Sequence, residues 1–355
     1  MSAPTSEQLL SGVRSGRWLD EQVFPPLRFA VPNLIPEGLS LLVAPPKAGK
    51  SWFVLSASLA AACGGAVLGH VRLEPRPVLY LALEDGHRRL QDRCRQLLGA
   101  TPIPERFKFR IDLPPGATAA EVMRAWLDIH GDEQPLVVLD TLGRVAPPAM
   151  VGESAYARDY RVAAQYKAVA DDYPGTALVA VHHVRKEQGG DFVDSVSGTH
   201  GIAGAADTIL ALTRPRMDAA GILRVTGRDL PEGEYALRFE RGSEWVLDGR
   251  SFEEAARNAA TVHATDGVGE EMSELVRYVS RVGRASPSDV AAALGWDPRK
   301  ASTYLGRAVE RGRLGRDGRG TYVPVLVALE VLYSDDPPPG DTNTPNTHNT
   351  EGGGQ

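Results

Sequence analysis

Between Leu39 and Ala211, short apolar runs of strand length alternate with stretches that carry polar residues at helical spacing. The runs fall at 40–43, 77–83, 107–111, 136–140, 177–182 and 208–212. Continuous apolar runs separated by helices predict a parallel sheet covered on both faces. Three further strands, at 222–226, 235–239 and 244–247, are separated by GRDLPEG and ERGS, which read as hairpin turns. The pattern sets five regions: an N-terminal arm (1–30), an α/β domain (31–249), a linker of small and polar residues (250–269), three helices with a hairpin (270–325), and a tail (334–355). The tail has almost no apolar residue and is expected to be disordered.

The first turn of the α/β domain carries the candidate chemistry. Residues Ala44, Pro45, Pro46, Lys47, Ala48, Gly49, Lys50, Ser51 and Trp52 lie between a strand and a helix. They match G-x-x-x-x-G-K-[ST] at every fixed position but the first, where Ala44 stands for glycine. Such a loop turns backbone N–H groups inward at a helix N-terminus and cradles phosphate. Lys50 is then expected to reach the β and γ phosphates of ATP, and the Ser51 hydroxyl to ligate Mg²⁺.

Acids at the ends of neighbouring strands extend the reading. Asp140 closes PLVVLD, where a carboxylate can reach Mg²⁺ through water. Glu84 and Asp85 close VLYLALED. Glu84 is expected to activate the attacking water, and Asp85 either to cap the next helix or to join Ser51 and Asp140 around the metal. His182 and His183 end another strand, and one of them is expected to sense the γ-phosphate and signal to the loop carrying Arg185 and Lys186.

Length and charge leave room for this and exclude little. The chain has 355 residues, 43% hydrophobic and 24% charged, with a net charge of −6, so any nucleic-acid surface must be local. Cys63 and Cys94 match no metal or redox spacing. No basic-then-apolar leader opens the chain, and 55–69 is too short to cross a bilayer. A cytoplasmic protein without membrane contact is expected.

The motifs at 44–51, 84–85, 140 and 182–183, followed by GAADTILALTR, occur in the order seen in RecA-fold ATPases. The chain most resembles RepA-type hexameric replicative helicases of plasmids and phages and the related AAA-type ATPases, over residues 20 to 250. This resemblance implies a RecA-like P-loop core and a homo-oligomeric ring, a hexamer, that hydrolyses ATP at subunit interfaces. It implies that His183 is the γ-phosphate sensor and that an arginine from the neighbouring subunit, Arg214 or Arg228, completes the site. It also implies that the loops after Asp140 and His183, the latter with Arg185 and Lys186, grip single-stranded DNA. Neither loop is strongly basic, and neither holds the aromatic platform expected for base stacking.

Residues 270–325 resemble a winged helix-turn-helix, with Arg299, Lys300 and Arg307 on the recognition helix and Arg316 and Arg319 in the wing. From 271 to 325 the segment holds ten Lys/Arg against six Asp/Glu, a local balance of +4 suited to duplex DNA. Two other functions share these motifs: an ATP-switched loader or recombination factor that never unwinds DNA, and a non-DNA ATPase whose winged helix docks a protein.

Overall fold

Six parallel and three antiparallel strands form one nine-stranded sheet in the computed structural model, which describes residues 5–183, 201–215 and 217–325. Two short helices, α1 (Ser6–Leu10) and α2 (Gly16–Asp20), and a small hairpin, β1 (Phe29–Val31) with β2 (Ile35–Pro36), precede it. The chain then runs through β3 (Gly38–Ala44), α3 (Lys50–Cys63), a second small hairpin of β4 (Ala66–Val67) and β5 (Val71–Arg72), β6 (Val78–Ala82), α4 (His87–Leu98) and β7 (Phe107–Arg110). It continues with α5 (Ala119–His130), β8 (Leu136–Asp140), α6 (Leu142–Val145), α7 (Ala155–Asp172), β9 (Ala177–His183) and α8 (Gly201–Ala205). Strands β10 (Thr208–Thr213), β11 (Ala220–Gly227), β12 (Gly233–Glu240) and β13 (Glu244–Leu247) complete the sheet.

The spatial order is β13-β12-β11-β10-β3-β9-β8-β6-β7. Strands β10, β3, β9, β8, β6 and β7 pair in parallel, and β11 to β13 add an antiparallel meander. This is the parallel sheet flanked by helices that the alternation of apolar runs predicts, and the RecA-like core that the family resemblance implies. Leu41, Val43, Leu139 and Ala180 pack against Met123 and Leu127 of α5 and Val162, Tyr166 and Val169 of α7, while Phe53, Val54, Leu55 and Leu59 of α3 are buried as well. At roughly 25 cal/mol per Å² of apolar surface buried, such a core dominates the stability of the domain. Among the described residues no helix is long and apolar enough to cross a membrane.

Register sets where chemistry can happen. Ala44 pairs with His183 and Val43 with His182, Asp140 pairs with Val181, and Ala82 pairs with Asp140. The carboxyl ends of β3, β9, β8 and β6 therefore finish level, and the side chains that follow them share one end of the sheet, where open α/β sheets bind ligands.

The chain divides into two compact units, Met1–Leu247 and Asp248–Gln355. The second contains α9 (Phe252–Thr265), α10 (Glu270–Val282), α11 (Pro287–Leu294), α12 (Pro298–Glu310) and an antiparallel hairpin of β14 (Leu314–Arg316) and β15 (Tyr322–Pro324). Its core joins Leu275, Val276, Val279, Val290, Leu305 and Tyr322. Ser286 forms a capping box with Asp289, and the Asp297 side chain accepts from the amides of Arg299 and Lys300, so each helix starts at a capping residue followed by proline.

Residues 250–269 are not a bare linker, because α9 occupies most of them. Ser251 caps it, Glu253 and Glu254 complement its N-terminal dipole, and the alanines that make the segment look like a spacer are the strongest helix formers. Ala255 and Ala259, one turn apart, are fully buried. The tail at 334–355 lies outside the described residues.

Candidate active site

The phosphate-loop segment turns through left-handed backbone at Lys47 (φ 66°) and Gly49 (φ 105°). Ala44 does not: it is the last residue of β3, so the motif's missing first glycine costs no conformational freedom here. Pro45 and Pro46 fix φ through the first half of the turn. A Cβ on Gly49 would stand 2.8 Å from Nε1 of Trp245, whose indole N–H donates to the Gly49 carbonyl at 3.1 Å. Glycine is required there twice over, for its φ and for the indole pressed on it.

Lys50 opens α3 and is 4% exposed. Its Nζ donates to the carbonyls of Ala44 (3.0 Å) and Pro45 (3.2 Å) and lies 2.8 Å from Nδ1 of His183. Burial pulls its pKa down from 10.5 to about 8, against the attraction of Asp140 and Glu84. An ammonium held among carbonyls and an imidazole, with carboxylates near but not paired to it, is set to receive an anion.

Asp140 is buried at the end of β8. Tyr80 Oη donates to its Oδ2 at 2.8 Å, the Ser51 hydroxyl also hydrogen bonds to the carboxylate, and burial raises its pKa despite both. Its Oδ1 is buried with no hydrogen-bond partner. Glu84 is oriented by the Thr141 hydroxyl, which donates to Oε1 at 2.9 Å, while Oε2 stands 3.7 Å from Nε2 of His183. Asp85 lines the same cavity as Lys50 and Glu84, with its Oδ2 accepting from Arg93 at 2.6 Å and its Oδ1 ion-paired with Arg89 at 3.1 Å, two turns and one turn along α4. Arg93 also lies 5.3 Å from the Trp52 ring, which brings Trp52 to the same wall.

Lys50, Ser51, Glu84, His183 and the Asp85–Arg93 pair line a cavity of about 380 Å³ together with Lys47, Arg214, Phe239 and Gly242. Arg214, expected to serve a neighbouring subunit, is tied to its own loop. Its Nη2 donates to the Lys47 carbonyl at 3.0 Å and its guanidinium sits 4.2 Å above the Phe239 ring. Arg228 is elsewhere: it follows β11 at the end of the sheet away from the loop, donates to the Gly204 carbonyl at 3.1 Å, and is 61% exposed. Arg185 and Lys186 lie outside the described residues. Reading along the chain misses Tyr80, Thr141, Arg93, Phe239 and Trp245. Thr141 is signalled by its place beside Asp140, whereas Trp245 reaches Gly49 across 196 residues and leaves no local trace.

The residues fit a metal–nucleotide pair. The partnerless buried Oδ1 of Asp140 beside the Ser51 hydroxyl is what a hard cation completes. Among the described residues no group of three or more His, Cys, Asp or Glu side chains could hold a metal alone, which leaves phosphate oxygens and water to fill its shell.

The profile of the AAA domain family AAA_25 matches residues 3–189, more than half of the chain. The chain belongs to this family. Its RecA-like core and phosphate loop make it a P-loop ATPase of that kind. Solved structures with partial likeness include a DnaB-like replicative helicase described in its interactions with primase (14% identity, 69% of this chain and 67% of that one, TM-score 0.46). A RadB recombinase (16%, 60% and 91%, 0.42) and a KaiC-like protein of Pyrococcus horikoshii (12%, 63% and 100%, 0.43) are others.

In the second unit, Arg299, Arg307, Arg316 and Arg319 are exposed on α12, at the end of β14 and in the β14–β15 turn. Lys300 is engaged within the unit: it pairs with Glu271 at 2.5 Å and lies 4.6 Å from the Trp296 ring, and Tyr304 donates to the same carboxylate.

Proposed function

We propose that this protein is a Mg²⁺-dependent ATPase that couples hydrolysis to work on DNA in the cytoplasm, as a ring-forming replicative helicase of the RepA type. The observation that carries the hydrolytic reading is the convergence of Lys50, Ser51, Asp140, Glu84 and His183 at the level ends of four parallel strands. Lys50 and the amides of the loop bind the phosphates of ATP. Ser51 and Asp140 would hold Mg²⁺, which would supply charge neutralisation for phosphoryl transfer. Glu84, held by Thr141, takes a proton from the attacking water, and His183, bonded to Lys50, reports the γ-phosphate to the segment that follows it. Asp85 holds the α4 arginines in the wall, and Arg214 braces its own loop. Arg228, 61% exposed and distant from its own loop, is the arginine that reaches a neighbour's site, exchanging its bond to the Gly204 carbonyl for that contact. The basic face of the second unit, a winged helix-turn-helix, supplies phosphate contacts to duplex DNA through Arg299, Arg307, Arg316 and Arg319, with Lys300 kept in reserve by Glu271.

Steady-state ATP hydrolysis by the full chain, with and without single-stranded DNA and alongside a strand-displacement assay, tests this reading. Hydrolysis lost in Lys50→Ala, stimulated by DNA and accompanied by displacement, is expected. Stimulation without displacement points to a loader or recombination factor, and no response to DNA overturns the DNA reading.

A further inference from the structure

Helix α7 begins after α6 and the loop at 146–154, fifteen residues past Asp140, and its first two turns carry Tyr156 and Tyr160. The two rings are stacked, with centroids 6.3 Å and planes 12° apart. They remain 51% and 46% exposed.

The pair is fixed in place from two sides. A Cβ on Gly201 of α8 would meet the Tyr156 carbonyl at 2.4 Å and the Tyr160 amide at 2.9 Å, so α8 is pressed backbone to backbone against this turn of α7. Three residues on, a Cβ on Gly204 would sit 3.9 Å from Tyr160 and 4.0 Å from the Tyr156 hydroxyl, which puts a residue without a side chain beneath both rings. On the other side the preceding loop is tied down. Arg161 forks onto both oxygens of Glu153 at 2.8 and 2.9 Å, Arg158 donates to the Pro147 carbonyl at 2.9 Å, and the Ser154 side chain caps the helix. Two parallel aromatic faces are thus held rigid and half in water, with little left to order when something binds.

Exposed flat ring faces recognise other flat rings by stacking. Bases of a single strand expose their π-faces and meet this description, whereas those of a duplex are already stacked on one another. We propose that Tyr156 and Tyr160 form a stacking ledge for the bases of single-stranded DNA. This inference rests on the DNA reading above and gives it a contact that the chain's weakly basic loops do not supply.

Binding of a fluorescein-labelled oligothymidylate to the full chain, with Mg²⁺ and a non-hydrolysable ATP analogue over a series of salt concentrations, tests it. Tyr156→Ala and Tyr160→Ala should each weaken binding about ten- to a hundredfold, the range for one lost base stack, and the Phe variants should bind as the parent does. Stacking releases no counterions, so the slope of log affinity against log salt should not change in the Ala variants. Photo-crosslinking of the parent protein to a 5-iodouracil oligonucleotide, which needs no variant to fold, should map adducts to these two tyrosines. Parental affinity in the Ala variants, equal losses in Phe and Ala, loss of DNA binding together with a change in oligomeric mass, or adducts only in the second unit each overturn the ledge. If the parent binds no single strand at all, both the ledge and the DNA reading fall; if it binds and the tyrosines are indifferent, only the ledge does.

Discussion

Nζ of Lys50 lies 2.8 Å from Nδ1 of His183. A protonated lysine has donors only, so Nδ1 accepts and the imidazole proton resides on Nε2, the atom 3.7 Å from Glu84. Phosphate-binding cation, ring and candidate base form one connected line, and a change at any of them is felt at the others.

The depressed pKa of Lys50 sets a pH window for nucleotide binding. Below about pH 8 the amine is protonated with or without ligand, and binding adds no proton to it. Between about 8 and the ordinary value of 10.5 the free protein has lost that proton, and a bound polyphosphate restores it. Affinity should therefore fall as pH rises above 8, approaching tenfold per unit. Calorimetry at pH 9 in two buffers of different ionisation enthalpy should show uptake of nearly one proton per nucleotide, absent in Lys50→Arg. Equal apparent enthalpies in both buffers for the parent protein would contradict this account.

Glu84→Gln keeps the shape of the side chain and its contact with Thr141 but removes the basic oxygen. Hydrolysis should slow by roughly 10² to 10⁴ while nucleotide binding persists. Thr141→Val should cost less, because it frees Glu84 without removing it. Single-turnover rates with separately measured nucleotide affinity distinguish the two effects; a Glu84→Gln variant with the parental rate moves the base to another residue.

Arg214 and Arg228 should separate cleanly in mixed assemblies. Arg214→Ala loses the bond to the Lys47 carbonyl and the ring contact with Phe239 in the same chain, so its main effect should be weaker nucleotide binding that no neighbour repairs. Arg228→Ala should bind nucleotide normally and hydrolyse poorly, and mixing it with Lys50→Ala should restore turnover at interfaces that combine an intact loop with an intact arginine. Titrating one variant into the other and following ATPase activity reads this out. Rescue of Arg214→Ala instead would reverse the two roles.

How far this site can be read along the chain depends on how its parts are connected. Ala44, Asp140 and His183 each end a strand and Glu84 lies two residues past one, and strand ends are visible as the close of an apolar run. The level register that unites them follows from parallel pairing of short buried strands. The Asp85–Arg93 pair and the bond from Arg214 to the Lys47 carbonyl join residues two helical turns and 167 residues apart, which no local pattern encodes. Helix α9 was hidden for a different reason: alanine marks both spacers and helices, and only the burial of Ala255 and Ala259 separates the two.

The contact between Trp245 and Gly49 makes the last prediction. Gly49→Ala places a side chain at φ 105°, costing about 1–3 kcal/mol for the backbone alone, and drives its Cβ to 2.8 Å from the indole nitrogen. Trp245→Phe removes the indole donor and should cost about 1 kcal/mol for the hydrogen bond, plus the packing lost by a fully buried ring. The double variant should be more stable than the sum of the single effects, since the smaller ring relieves the clash and leaves only the backbone strain. Denaturant unfolding of the three variants yields the coupling directly. Strict additivity would mean that the glycine is needed for its backbone alone, and that the indole touches the phosphate loop without constraining it.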